Sequence, residues 1–322
     1  MDVQKYYNGK KILLLGGAGF IGSNLAEEFV NSGAKVTVVD GFVQYTGGNI
    51  RNIQNFIGKI NLYNCKVENL NCLKELVEDS DFIIDSMALT SHGYGIEYPI
   101  MDVQLNILSH LQLINALKGT QNKKILYLGS RGQYGNSKEA VITEETPQNP
   151  IDPQGISKVA TESFFKFYAE KYGFKGVSLR ITNCFGEYQK INGDDIGLVG
   201  SLIRDILKGE TVEIYGTKER KKNIIYVKDL IKIILELIKP DFNNFEVYNI
   251  AGLEVTLGSL LDSIIENIGR GNYVVKPFPA AIKQIDVGDA KFSDKKISAK
   301  IGKLELSDLN RALANTIRYF EE

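Results

Sequence analysis

Gly16, Gly19 and Gly22 follow one another at G-x-x-G-x-x-G spacing, and Asp40 closes the next apolar run. The chemistry these residues can do is dinucleotide binding. The first glycine permits a tight turn, the middle one lets backbone approach a pyrophosphate, and the last lets a helix pack close to the sheet. Phe20 and Ile21, between the last two glycines, complete the cofactor-binding set. A carboxylate at Asp40 accepts both hydroxyls of an adenosine ribose and repels a 2′-phosphate, which selects NAD over NADP. A glycine motif alone often marks only a tight turn; here strand, helix, second strand and terminal acid all fall in place. The chain has two histidines. His92 lies in a loop rich in small residues, and His110 lies within a helical segment, where a surface or interface position is expected. Cys65, Cys72 and Cys184 show no metal-type spacing and read as small buried thiols. The basic run Lys218 to Lys222 reads as a solvated loop unless its surroundings make it a phosphate contact.

The elements that must position these groups follow from the apolar pattern. Residues 12–15 form a short continuous apolar run, as a buried parallel strand does. A helix over 23–30 ends at Ser32-Gly33, and strands follow at 36–39, 60–63, 81–85, 124–128 and 177–181. Helices are expected at 70–77, 103–117 and 156–172. The alternation predicts an α/β fold, a doubly wound parallel sheet of the Rossmann type. After Thr182 the segments shorten. Residues 247–250 read as a strand able to rejoin the sheet, and helices are expected at 230–238, 257–268 and 306–320. The expected division is 1–184 with 224–250 as the NAD-binding domain, and 185–223 with 251–322 as a smaller substrate-binding cap. In an open α/β sheet the ligand binds at the carboxyl edge, where the loop 86–99 must lie.

Of 322 residues, 43% are hydrophobic and 24% charged, enough for a full-sized core, and the net charge of −1 gives no electrostatic footprint for nucleic acid. No apolar run approaches the roughly 20 residues that span a bilayer. The N-terminal residues lack the apolar core of a signal peptide, and an odd cysteine count suggests reduced thiols, so a cytoplasmic protein is expected. The broad apolar face over 103–117, with Phe164, Phe165, Phe167, Tyr168 and Tyr172 on the following helix, predicts a homodimer or higher homo-oligomer.

Over nearly its whole length the chain resembles the extended short-chain dehydrogenase/reductase family, in its NAD-dependent nucleotide-sugar epimerase/dehydratase branch. The residues that carry the resemblance are GGAGFIG at 16–22, Asp40, Pro99 with Asn106, SRGQYG at 130–135, Lys158, LRITNCFG at 179–186, the stretch 214–229, VYNIAG at 247–252 and DVGD at 286–289. The resemblance implies hydride transfer between NAD and a carbon, usually carbon 4, of a sugar carried as a nucleoside diphosphate ester. It implies a Ser, a Tyr and a Lys for the proton chemistry, the lysine lowering the tyrosine pKa. Ser130 and Lys158 match. The tyrosine is expected four residues before the lysine, and that residue is Gln154.

A glutamine amide does not titrate near neutrality, and loss of a positioned acid–base group costs about 10²–10⁴ in rate. Three readings compete: another group, or a water relayed by Ser130 and Gln154, moves the proton; the enzyme is slow and holds its cofactor tightly; or catalysis is lost and a cofactor-binding scaffold remains. His92 is the candidate replacement base, with Tyr94 nearby and Asp85 as a relay partner or loop cap. Family dehydratases carry an acidic pair after the serine; here Arg131 and Gly132 stand there, which disfavours dehydration. Arg131, Asn183 and Lys222 are the expected substrate contacts, and Asp286 replaces an expected arginine. Net oxidation to a 4-keto sugar is the first expectation, as in tyrosine-lacking members such as a GDP-heptose dehydrogenase of capsule synthesis. A 4-epimerase is second and a silent scaffold third.

Overall fold

The computed structural model describes residues 3–193, 196–240, 242–278, 289 and 291–321. Its strands are β1 (Lys11–Leu15), β2 (Lys35–Asp40), β3 (Ile60–Asn64), β4 (Phe82–Asp85), β5 (Lys124–Ser130), β6 (Lys175–Ile181), β7 (Asn183–Phe185), β8 (Val212–Tyr215), β9 (Lys221–Tyr226), β10 (Phe245–Ile250), β11 (Leu253–Thr256) and β12 (Tyr273–Lys276). Its helices, in chain order, are α1 (Val3–Tyr7), α2 (Phe20–Asn31), α3 (Leu73–Asp79), α4 (His92–Glu97), α5 (Pro99–Val103), α6 (Ser109–Ala116), α7 (Pro153–Tyr172), α8 (Leu198–Leu207), α9 (Val227–Leu237) and α10 (Leu257–Ile268), followed by Lys295–Ile301 and Leu309–Glu321.

Seven strands form one sheet in the order β10-β6-β5-β4-β1-β2-β3, and every pairing in it is parallel. The expected doubly wound α/β architecture is therefore the observed one. Ile12, Leu13, Leu14 and Leu15 are all buried, because helices cover both faces of a parallel sheet and leave no polar side. The strand order reverses between β1 and β4, which opens the crevice at their carboxyl ends. β10 joins at the far edge with Val247 opposite Ser178, as the late apolar segment predicted.

The second layer is built from short pieces. β7, β9 and β11 form a three-stranded sheet, and β8 pairs with β12. α8, α9 and α10 place Ile203, Leu230, Ile234 and Leu261 in the same apolar core as β1 and β6.

Several expectations are corrected. The polar lead-in contains a helical turn whose Tyr7 is fully buried and donates to the Leu235 carbonyl at 2.5 Å. The three cysteines are free and none is fully buried as a residue, although the Cys184 thiol itself is enclosed. The helix expected over 103–117 begins earlier, at Pro99, and passes through a π-helical turn at Gln104–Leu108. The inward side of this helix carries polar residues as well as apolar ones. Asp102, Asn106, Ser109 and His110 are buried, whereas Val103 and Leu108 are exposed. His110 is therefore an interior residue, with Nδ1 2.6 Å from the equally buried Asp85 Oδ2. Asp286 lies outside the described residues.

Candidate active site

A cavity of about 380 Å³ follows the carboxyl edge of the sheet. One end is made by the glycine turn. Gly16 takes a positive φ of 74° and donates its N–H to Val39 O at 2.8 Å. A Cβ on Gly22 would stand 2.3 Å from Gly16 O, so the third glycine is required by contact between helix and turn. A Cβ on Gly19 would meet Gly16 O at 3.3 Å, a milder contact. Gly19, Phe20, Ile21 and Gly22 line the cavity at the start of α2. First-turn N–H groups lack intrahelical partners and favour an anion there.

Asp40 ends β2 against the same cavity. Its Oδ2 accepts from Ala18 N and its Oδ1 from Phe42 N, each at 2.9 Å. Burial raises the pKa of this carboxyl and the two amide donors work against that rise. The following loop is strained. Phe42 and Tyr45 both adopt positive φ, 44° and 69°, which is uncommon for bulky side chains. Tyr45 lines the cavity from the β2 side and lies 4.2 Å, centroid to centroid, from the ring of Tyr94 on α4. Tyr98 continues the row at 6.0 Å from Tyr94. These rings join the two lips of the crevice.

The other end is built by β5 and α7. Asp152 caps α7, accepting from Gly155 N at 2.8 Å, and Pro153 occupies the first turn. Gln154 and Lys158 then lie one turn apart on the same face, and both line the cavity. Lys158 is buried, donates to Leu128 O at 2.8 Å, and holds its ammonium 4.7 Å from the Tyr127 ring centre. Burial pushes its pKa down to about 8, against the opposing pull of Asp85 and Asp102. Gln154 donates from Nε2 to Thr90 O at 2.9 Å. Ser130 ends β5, and its Oγ accepts from Gly132 N at 3.0 Å.

His92 opens α4 and also lines the cavity. Its Nδ1 lies 3.3 Å from Asp152 Oδ2. Burial acts to raise the Asp152 carboxyl, but the hydrogen bonds from His92 and Gly155 outweigh it and hold the group below the usual range. Asp85 does not reach this dyad. It accepts from Met87 N at 3.2 Å and pairs with His110, so it serves as loop cap and buried partner.

The structure therefore brings Gly16, Gly19, Phe20, Ile21, Gly22, Asp40, His92, Ser130, Gln154 and Lys158 to one cavity. The three expected substrate residues are elsewhere. Arg131 lies in the 3₁₀ turn after Ser130, Lys222 is buried on β9, and Asn183 on β7 donates to Asn223 O at 2.7 Å; none forms the cavity wall. Sequence reading missed Gln189 and Lys190, which close the cavity from the segment after β7. Their only signal was their position after the ITNCFG stretch.

The model of the NAD dependent epimerase/dehydratase family matches residues 12–251. The chain belongs to this family. A putative UDP-glucose 4-epimerase of Methanocaldococcus jannaschii is 29% identical over 267 residues, covering 82% of this chain and 84% of that protein. Among solved structures, the UDP-N-acetylglucosamine 4-epimerase of Methanobrevibacter ruminantium, in complex with UDP-N-acetylmuramic acid, superposes with a TM-score of 0.88. It is 26% identical and covers 98% of this chain and 99% of that one. The Thermus thermophilus UDP-glucose 4-epimerase complex with NAD gives 0.80 at 25% identity, covering 97% and 99%. NAD is the family's cofactor. The glycine turn with no room for a Cβ at Gly22, the open first turn of α2 and the buried Asp40 carboxylate fit it.

Proposed function

We propose that this protein is an NAD-dependent oxidoreductase that oxidises carbon 4 of a nucleoside-diphosphate sugar to the ketone. The observation that carries the proposal is the pairing of Gln154 with Lys158 on one face of α7, in the same cavity wall as Ser130. Gln154 occupies the place where the family resemblance expects a tyrosine. Bound NAD supplies the hydride acceptor. Lys158, held against the Leu128 carbonyl, fixes the nicotinamide ribose and contributes positive charge where oxygen becomes anionic. Ser130 donates a hydrogen bond to the reacting oxygen, a contact that strengthens as charge develops. Gln154 is engaged on Thr90 O and holds the loop that follows β4.

An inverting return to the alcohol requires a group that redelivers the proton to the ketone. An amide at 154 can neither accept the hydroxyl proton nor return it, so both outcomes need another group; net oxidation asks it for one outward passage, a 4-epimerase for a passage and a return. A 4-epimerase is the second reading, favoured by the names of the relatives. The smaller layer, 185–223 and 251–322, is assigned to the nucleotide sugar. Substitution of Arg131, Asn183 and Lys222 in turn tests the substrate contacts that the resemblance expects of them.

The test is anaerobic incubation of the NAD-loaded protein with UDP-sugars and with GDP-heptose. NADH absorbance is followed and the sugar is analysed by NMR. A 4-keto product in step with NADH supports oxidation. An inverted sugar without NADH accumulation supports epimerisation. Neither, across the panel, leaves a cofactor-binding scaffold.

A further inference from the structure

The loop after β4 is fastened to the start of α7 at two points. The Gln154 amide holds Thr90 O at 2.9 Å, and close by in both segments Asp152 faces His92 at 3.3 Å. We propose that His92, oriented by Asp152, is the proton acceptor that serves the substrate hydroxyl in place of the family tyrosine. This rests on the oxidoreductase reading above.

Elimination among the groups lining the cavity supports it. Asp40, Cys65 and Lys66 belong to the glycine-turn end after β2 and β3, Tyr45 packs on the Tyr94 ring, Lys190 comes from the segment after β7, and Glu68 is taken by the Ser109 hydroxyl. Lys158 is engaged on Leu128 O and must stay cationic. Burial raises the Cys184 thiol far above its ordinary value, so it remains protonated. His92 is the wall residue beside Gln154 whose side-chain class changes charge near neutrality.

The ring's two nitrogens divide the work. Nδ1–H donates to the Asp152 carboxylate, which selects the tautomer with the lone pair on Nε2; this tautomer is assigned from the partner. The substrate O–H bond then breaks and an Nε2–H bond forms. The O–H electron pair becomes the second bond of the ketone as carbon 4 gives its hydride to NAD, the oxidant. The His92 side chain is 52% exposed, so the proton passes on to solvent. That outward path suits net oxidation better than a return to the same sugar.

Asp152 is the positioning residue, and it also caps α7. Asp152→Asn separates the two roles, since asparagine caps as well as aspartate but carries no charge. His92→Ala should lower kcat about 100-fold or more, with KM and calorimetric NAD affinity unchanged, and added imidazole should restore part of the rate. Asp152→Asn should lower kcat without moving the melting temperature, and should add little in the His92→Ala background, because both changes remove one function. Full activity of His92→Ala in a protein that oxidises nucleotide sugars would overturn the dyad and leave the oxidoreductase reading standing. A loss that imidazole does not rescue, or that adds fully to Asp152→Asn, would make His92 structural and overturn it equally. Absence of oxidation by the unaltered protein would remove both proposals.

Discussion

At the residue scale Lys158 carries two opposed demands. Its pKa lies near 8 because burial disfavours the cation, while an unfolded lysine titrates near ~10.4. Between those values the unfolded chain binds the extra proton, so the contribution of Lys158 to stability rises with pH across that window. Activity has the opposite sign, since the cation is lost above about 8. Turnover should therefore fall on the alkaline side of pH 8 while thermal melting shows no matching loss. Lys158→Met should abolish turnover and weaken NAD binding without lowering the melting temperature; a pH–rate profile flat to about pH 10, the unshifted lysine range, would contradict the assignment. Asp40 makes the second residue-scale prediction. Its carboxylate, fixed by the Ala18 and Phe42 amides, excludes a 2′-phosphate, so Asp40→Ala should bring NAD and NADP affinities within about tenfold of each other by calorimetry. Asp40 and the glycines were legible in the sequence because one local strand–turn–helix–strand unit supplies them all. Asp152 was not, since its importance comes from a histidine on a different segment.

At the element scale the helix after β4 departs most from expectation, starting at Pro99, passing through a π-turn at Gln104–Leu108 and burying His110. A 3.6-residue pattern over 103–117 gave one broad apolar face, part core and part oligomer contact, whereas the i→i+5 turn lets polar residues within it point inward. Asn106 then sits fully buried. It accepts from Leu89 N at 2.8 Å, donates to Leu89 O at 3.0 Å and to Asp102 Oδ1 at 2.7 Å. Asp102 is held in turn by the Ser157 hydroxyl on α7. Asn106 faces inward because it binds the loop that carries Thr90 and His92, and Asp102 because it joins Asn106 to α7. No periodicity reveals that, since the partners lie on the loop after β4 and on α7. Asn106→Ala should cost about 1–3 kcal/mol, the range for leaving buried groups unpaired, and should raise hydrogen exchange in residues 86–92. Unchanged exchange there would show that the loop is held by other means.

At the scale of the whole molecule, apolar side chains remain outside on two neighbouring helices. Ile100 is 72% exposed and Phe167 57%, with Val103, Leu108, Ile156 and Phe164 also exposed on the same helices. α5 and α6 pack beside α7, so these residues form one two-helix face. A second copy of the chain presenting the same face would bury it, in a two-fold arrangement. Sedimentation equilibrium should show a dimer at micromolar concentration, and Ile100→Lys with Phe167→Lys should give a monomer. A monomeric unaltered protein would refute the interface. The parallel sheet was readable from apolar runs, whereas its strand order, set by pairings between distant segments, was not; this face was readable as an excess of apolar and aromatic residues, from which self-association is expected.

The row of rings from Tyr45 through Tyr94 to Tyr98 reaches from the loop after β2 to α4 and would act as a latch across the crevice. Tyr45 holds a positive φ that is uncommon for a bulky side chain, so its place in the row is expected to depend on what fills the crevice. Exchange of cofactor would then run at the speed of the latch, and the protein should leave a purification column with its dinucleotide still inside. Tyr45→Ala should quicken NADH release on the order of tenfold in stopped-flow fluorescence, as loss of a gating contact does. An unchanged release rate would mean that the rings only touch and do not lock.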